Sequence, residues 1–408
     1  MNKHLLAVLV ALGAIIPAHA DVITDWNTKV SEFITEAKMG TPPAVRAMAL
    51  VQTATYEAVR AAPPAGSIDA AVAAANRATL LKTIPAVQAS IEAAYQAALA
   101  KIPDGPTKTA GIIVGEKAAA AVLAARADEM PTGPESYRPH TTPGMYVPTA
   151  GVAVPVWGQR KPWAMTSASQ FRPGPPPALT SDEWTRNFNE VKAMGGRAST
   201  QRTAEQSDVA KFWEYSLPAI YCGVLSSVAN QPGRTVTQNA YLYATATQAM
   251  DDALISVFDA KYQYNFWRPV TAIRNGDQDG NNATDRDAAW NTFVDTPMHP
   301  EYPSAHGSIA GAVGAVLKAE IGNGPTPMLV TSSPTLKGAT RQWSSIDAFV
   351  KEVGDARVWA GLHYRVSTDV GAAMGKKIGE MAAKRDQPRL VTARCHFDCE
   401  QVVGYSAR

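Results

Sequence analysis

The sequence predicts an all-α protein, a helical bundle interrupted by long proline-rich loops. Three observations predict it. Apolar residues recur at helical spacing through long alanine-rich stretches, capping signals open several of those stretches, and strand-type alternation is weak throughout.

The first twenty residues stand apart. Lys3 supplies a short basic start, Leu5 to Ile16 is almost wholly apolar, and Ala18-His19-Ala20 is a small-x-small cleavage site. This is the pattern of a secretory signal peptide cut after Ala20. The apolar run is short for a membrane span of ~20 residues, and no later stretch is long and apolar enough to cross a bilayer. An exported protein, periplasmic or secreted, is expected. Its 38 lysines and arginines against 36 acids give a net charge of +2. That balance implies no nucleic-acid or membrane-surface partner, so any positive charge that matters must be local. A homo-oligomer is left open. Of the three cysteines, Cys222 reads as a buried thiol. Cys395 and Cys399 could pair after export, and Cys395-His396-x-x-Cys399 is half a metal site without a second half.

Residues 21–177 form an N-terminal helical region ending in a proline-rich loop, 178–390 a C-terminal helical region, and 391–408 a tail. Four or five helices are expected between Asp21 and Ala127. Pro43 to Ala61 places Val45, Met48, Ala49, Val51, Ala54 and Ala58 on one broad apolar face, and Pro85 to Ala100 and Lys108 to Ala125 repeat the pattern. Arg46, Tyr56, Glu57 and Arg60 read as a polar helix face. Pro131 to Pro177 holds eleven prolines among aromatics such as Tyr137, Tyr146, Trp157 and Trp163. That excludes a regular helix and fits a long ordered loop, either a lid or a packed connector. Thr180 to Glu183 is a capping-box pattern opening a helix to about Met194; Thr203 and Gln206 suggest another. Asn239 to Asp259 is a long apolar helix. Its paired Asp251 and Asp252 fit a solvated face or a salt bridge better than a general acid.

Three later clusters carry chemistry. In the first, Lys261 and Arg268 lie seven apart, two turns on one helix face, with Pro269 marking that helix's end or a kink. Two cations on one face repel unless an anion lies between them. The second is His299-Pro-Glu-Tyr-Pro-Ser-Ala-His306. A helix follows from Gly307 to Ile321, so Ser304 sits at its N-cap. There a hydroxyl and the backbone N–H groups of Ala305 and His306 can face one anion. In the third, Arg357 and His363 lie six apart, which separates them on a straight helix. Gly361 can end the helix and turn His363 back over Arg357, and Ser367, Thr368 and Asp369 then cap the next helix. Between the clusters, Gly276 to Asp285 resembles a calcium loop in composition alone and reads as a solvated turn.

Taken together, Lys-x6-Arg-Pro, Pro-Ser-x-His and Arg-x5-His resemble the signature of the vanadium haloperoxidase and acid phosphatase superfamily. The resemblance implies vanadate as cofactor, or phosphate in the same site. Lys261, Arg268, Arg357, Ser304 and the N–H of Ala305 would bind its oxygens. His363 would bind vanadium or attack phosphorus, and His306 would act as acid–base group. The family usually has glycine where Ala305 stands and serine where Ala356 stands. At the position of His299, the family's bromoperoxidases carry a second histidine and its chloroperoxidases tend to carry an aromatic. The resemblance thus implies a peroxide-driven oxidation of bromide or iodide rather than chloride, with acid phosphatase as the alternative. The partners would be small molecules.

Overall fold

In chain order the helices are α1 (Val22–Glu36), α2 (Thr41–Ala61), α3 (Ile68–Thr83), α4 (Gln88–Leu99), α5 (Pro106–Ala125), α6 (Asp182–Met194), α7 (Ala204–Phe212), α8 (Pro218–Ala229), α9 (Val236–Tyr264), α10 (Pro269–Arg274), α11 (Ala305–Ile321), α12 (Ile346–Trp359) and α13 (Arg365–Lys384). They come from a computed structural model that describes residues 21–127, 129, 137–148, 151–215 and 218–385. The expected signal peptide, Cys395, Cys399 and the tail lie outside those residues. Cys222 is a buried free thiol. Among the described residues no helix is long and apolar enough to cross a membrane.

The all-α expectation holds, with five helices before Ala127. One short hairpin departs from it. Strands β1 (Leu329–Ser333) and β2 (Ala339–Trp343) pair antiparallel, Leu329 opposite Trp343. Their Thr, Ser, Arg and Gln content hides the alternation that a hydropathy pattern needs.

Helix α9 is the axis of the molecule. It is buried on every side from Leu242 to Phe258, so its apolar and small residues run around the whole circumference instead of forming a stripe. Its N-terminus carries a capping box, Thr235 with Gln238. Helix α2 packs on one side of it, and α11 and α13 on the other. One apolar core therefore runs through both sequence regions.

Helices α11 and α13 approach backbone to backbone. A Cβ added at Gly371, Gly375 or Gly379 would lie 2.6, 1.9 or 2.3 Å from the carbonyls of Ser304, Ser308 and Ala312. Only glycine permits that spacing, repeated every four residues along one face. The contact seats the start of α11 on the start of α13, where Ser304 N–H donates to the Ser367 carbonyl at 3.0 Å.

Several local expectations are corrected. Helix α6 is capped by Ser181, which accepts from Trp184 N–H, not by Thr180; the Thr203–Gln206 box is present as expected. Lys261 and Arg268 do not share a helix. Helix α9 ends at Asn265 in the left-handed conformation (φ 47°), and Pro269 opens α10 at its first position, with Arg268 as N-cap. Helix α13 begins at Arg365, so Ser367, Thr368 and Asp369 lie inside its first turns. Arg46 and Glu57 are buried, not part of a polar face. Asp251 and Asp252 are fully buried, which removes the solvated-face reading. Asp251 pairs with Arg46 at 2.6 Å and accepts from Trp163 Nε1 at 2.7 Å. Asp252 accepts from the backbone N–H groups of Trp163, Ala164 and Met165. The acidic pair thus anchors the proline-rich loop. Within the 276–285 turn, Asp279 is buried and bonded to Trp184 Nε1 and Thr284 Oγ1, so that turn is solvated only in part.

Candidate functional site

The three clusters meet at one end of α9. Lys261 lies in its last turn, fully buried, and its Nζ donates to the carbonyls of Pro300 and Glu301 at 2.9 and 2.7 Å. Arg268 is 1% exposed. Its Nε donates to the His299 carbonyl at 2.9 Å and its Nη1 to the Leu362 carbonyl at 2.9 Å. Arg357, in the last turn of α12, donates from Nη1 to the carbonyls of Trp213 and Glu214 at 2.6 and 3.3 Å. Each cation is thus held by carbonyls from another cluster or another element. Among the described residues none of the three appears in an ion pair.

The turn after α12 forms as the sequence predicts. Gly361 takes a φ of 79°, and the N–H groups of Leu362 and His363 fold back onto the Arg357 carbonyl at 3.1 and 3.3 Å. His363 is buried, with Nε2 3.4 Å from Arg268 Nη1 and Nδ1 2.7 Å from Glu301 Oε1. Ser304 caps α11, its hydroxyl accepting from Gly307 N–H at 3.3 Å. Ala305 is next, and then His306, whose Nε2 is buried without a partner while its ring is bonded to the Trp213 carbonyl. His299 Nδ1 sits 2.9 Å from Arg268 Nη2. The same Nδ1 lies 3.1 Å from the Pro300 carbonyl; a guanidinium can only donate and a carbonyl only accept, so the two contacts call for opposite tautomers, and the shorter one, to Arg268, is met when Nδ1 accepts. The ring meets Phe258 edge-on at 5.2 Å. His299 therefore braces Arg268 and does more than cap a loop.

Sequence reasoning missed two participants. Glu301, fully buried, stands inside the stretch that was singled out, yet no spacing rule says that it faces His363. Trp213, at the end of α7, supplies a carbonyl to both Arg357 and His306; a backbone acceptor leaves no residue-type signal at all. The proline-rich loop also touches the site. Tyr146 N–H donates to the Asn265 carbonyl at 2.7 Å and Trp267 N–H to the Gly144 carbonyl at 2.9 Å. Its described residues are packed against the elements of the site.

The electrostatics are those of cations held together in the dry. Burial, then Arg268 and Arg357, pushes Lys261 well below the usual lysine value, with Glu301 opposing. Burial brings Arg268 down to about 10 and Arg357 to about 9. Burial and the neighbouring cations push His299, His306 and His363 well below the ordinary histidine value. Burial raises Glu301 to about 7 against the pull of Lys261 and Arg268. Three cations face one carboxylate, a formal excess of two positive charges. Buried charge without a counter-ion is costly, and Arg357 Nε and His306 Nε2 are both buried without partners. A tetrahedral oxyanion carrying one or two charges fits this donor set. Among the described residues no three His, Cys, Asp or Glu are grouped to hold a bare metal cation.

Residues 241–390 match the family described as the VCPO second helical-bundle domain, a span that contains every one of these residues except Trp213, Glu214 and the loop. Over that span the chain carries the helical-bundle domain of the vanadium-dependent haloperoxidase superfamily. A relative within this superfamily, vanadium chloroperoxidase of Curvularia inaequalis, is 24% identical over 222 residues, 46% of this chain and 36% of that enzyme. The match thus spans little more than a third of the relative's length. Two solved structures share the fold. A bacterial vanadium-dependent iodoperoxidase aligns with a TM-score of 0.77 at 22% identity, over 88% of this chain and 95% of that one. An apo-type bacterial vanadium-dependent chloroperoxidase aligns at 0.71 and 15%, over 85% and 93%. The fold of these two structures spans 85% or more of this chain.

Proposed function

We propose that this chain is a vanadate-dependent haloperoxidase, exported from the cytoplasm, that oxidises bromide or iodide in preference to chloride with hydrogen peroxide. The observation that carries the reading is the buried set Lys261, Arg268 and Arg357, three cations facing the single carboxylate of Glu301, beside the unpartnered Nε2 of His306. When bound, vanadate supplies the electrophilic centre that activates peroxide for oxygen transfer to halide. The chain's residues do the rest. Lys261, Arg268 and Arg357, with the Ser304 hydroxyl and the Ala305 N–H, would hold the vanadate oxygens and offset their charge. His363 Nε2 would be the protein ligand. His306, kept neutral by burial, takes and returns a proton at Nε2. His299 keeps Arg268 in place.

The same cradle would hold phosphate, and a carboxylate behind His363 also suits a histidine nucleophile. Acid phosphatase chemistry through a phosphohistidine at His363 is therefore the second reading. A paired assay separates them. Bromide- and iodide-dependent oxidation by peroxide is measured after vanadate loading, and phosphomonoester hydrolysis without vanadate. Halogenation is expected. Its absence from vanadate-loaded protein, with hydrolysis present, would reverse the assignment.

A further inference from the structure

The structure assigns Glu301 a positioning role: its carboxylate holds the His363 imidazole with the proton on Nδ1 and the lone pair of Nε2 turned toward the three cations. This rests on the proposal that an oxyanion binds at His363, and it adds a residue that the three sequence motifs do not contain.

Glu301 is where the three clusters are tied together. Its backbone N–H donates to the Phe266 carbonyl at 2.9 Å. Its own carbonyl accepts from Lys261 Nζ at 2.7 Å. Its Oε1 accepts from Tyr364 N–H at 3.1 Å and lies 2.7 Å from His363 Nδ1. It stands three residues before Ser304, the cap of α11. Backbone and side chain together are pinned on several sides, so the carboxylate has no freedom to turn away from the ring.

Two neighbours select the same tautomer independently. On one side, the ionised carboxylate can only accept, and its Oε1 already receives the Tyr364 N–H, so Nδ1 presents a proton to it; the other tautomer would set two lone pairs against each other at 2.7 Å. On the opposite side, Arg268 Nη1 at 3.4 Å can only donate, so Nε2 must be bare. A ligand histidine held through its other nitrogen by a carboxylate is fixed in ring orientation and made a better donor. Glu301 touches no substrate in this arrangement; it acts through His363.

The tautomer is read directly from long-range proton–nitrogen NMR of the anion-free, full-length protein, with the His363 signals identified from their loss in His363→Gln. A proton-bearing Nδ1 and a bare Nε2 are expected. The reverse pattern, or a mixture of tautomers, overturns the assignment without any change at Glu301. Equilibrium dialysis with inorganic vanadate, and phosphate as competitor, then measures the consequence. Glu301→Ala is expected to weaken both by about 10–100-fold and to release the tautomer. In Glu301→Gln the Tyr364 N–H holds the amide oxygen where Oε1 was, so the tautomer should persist and most of the affinity return. An alanine variant that binds as the parent does, or a glutamine variant no tighter than alanine, overturns the role. Should the alanine variant not fold, the tautomer of the parent decides. A parent that takes up neither anion sinks the oxyanion reading instead, and the NMR pattern still judges Glu301.

Discussion

Arg357 and His306 separate binding from chemistry. Arg357 contributes a charged donor to a dry site, where a hydrogen bond to a charged group is worth about 1.5–3 kcal/mol. Arg357→Met is expected to weaken vanadate and phosphate by roughly 10–100-fold, on that same scale, as measured by equilibrium dialysis. Unchanged affinity would remove Arg357 from the cradle. His306→Ala should leave vanadate affinity nearly intact and lower halogenation turnover by about 10²–10⁴, the usual contribution of a positioned acid–base group. Retained turnover would assign the proton transfer elsewhere. The histidines and cations were legible in the sequence because their residue types are rare enough to mark chemistry. Glu301 was not, since an acid among prolines and histidines reads equally well as a solvated turn. The Trp213 carbonyl could not have been, because every residue has one.

At the scale of elements, helix positions were legible and helix ends less so. Periodicity placed α2, α5, α9 and α11, and Gly361 was read correctly because a left-handed turn needs a residue without Cβ. The Lys261–Arg268 spacing misled. Seven residues suggest one helix face, but Asn265 ends α9 between them and Pro269 starts a new helix, so the two cations meet through a turn. The start of α11 is seated by the α11–α13 contact, which rests on absent side chains and has no hydropathy signal. Gly375→Ala tests it. In an exposed helix this change would stabilise by roughly 1 kcal/mol. Here the new Cβ would sit 1.9 Å from the Ser308 carbonyl, and overpacking should cost about 1–3 kcal/mol or more. Denaturant unfolding should show the loss, and oxyanion affinity should fall with it, because Ser304 and His363 ride on the two helices that are pushed apart. A stabilised variant would contradict the close approach. The anchor of the proline-rich loop gives a second test. Asp252→Ala strips the acceptor from three backbone N–H groups, each costing about 1–3 kcal/mol when left buried and unpaired. Limited proteolysis should then cut within 151–177, where the parent resists; equal resistance would mean that the loop is held by other contacts.

For the whole molecule, the fold class followed from composition and periodicity, whereas the convergence of residues 261, 268, 304, 306, 357 and 363 on one point followed only from motif spacing, since contacts between distant segments depend on how α9, α11 and α13 pack. That convergence makes stability depend on proton and anion. His299, His306 and His363 are pushed below their ordinary value of 6.5, so below about pH 6.5 the unfolded chain binds protons that the folded chain refuses, and stability falls as pH falls. Glu301, raised to about 7, and Asp252, raised to about 6, work the other way: their contribution is present at low pH and lost as pH rises through those values. Near pH 5 three groups oppose two, so the stability of the anion-free protein should slope downward on acidification. Glu301→Gln removes one of the opposing groups and should steepen that slope; an unaltered slope would mean that Glu301 does not titrate with folding. An oxyanion changes the balance, because it supplies the negative charge that the three buried cations lack. Vanadate or phosphate at a hundred times its dissociation constant should stabilise the fold by about 2.7 kcal/mol, read as a rise in Tm. Chloride at the same ionic strength should do far less, since buried charges are poorly screened by salt. If chloride matched phosphate, the gain would be surface screening, and the cations at the end of α9 would not form an anion site.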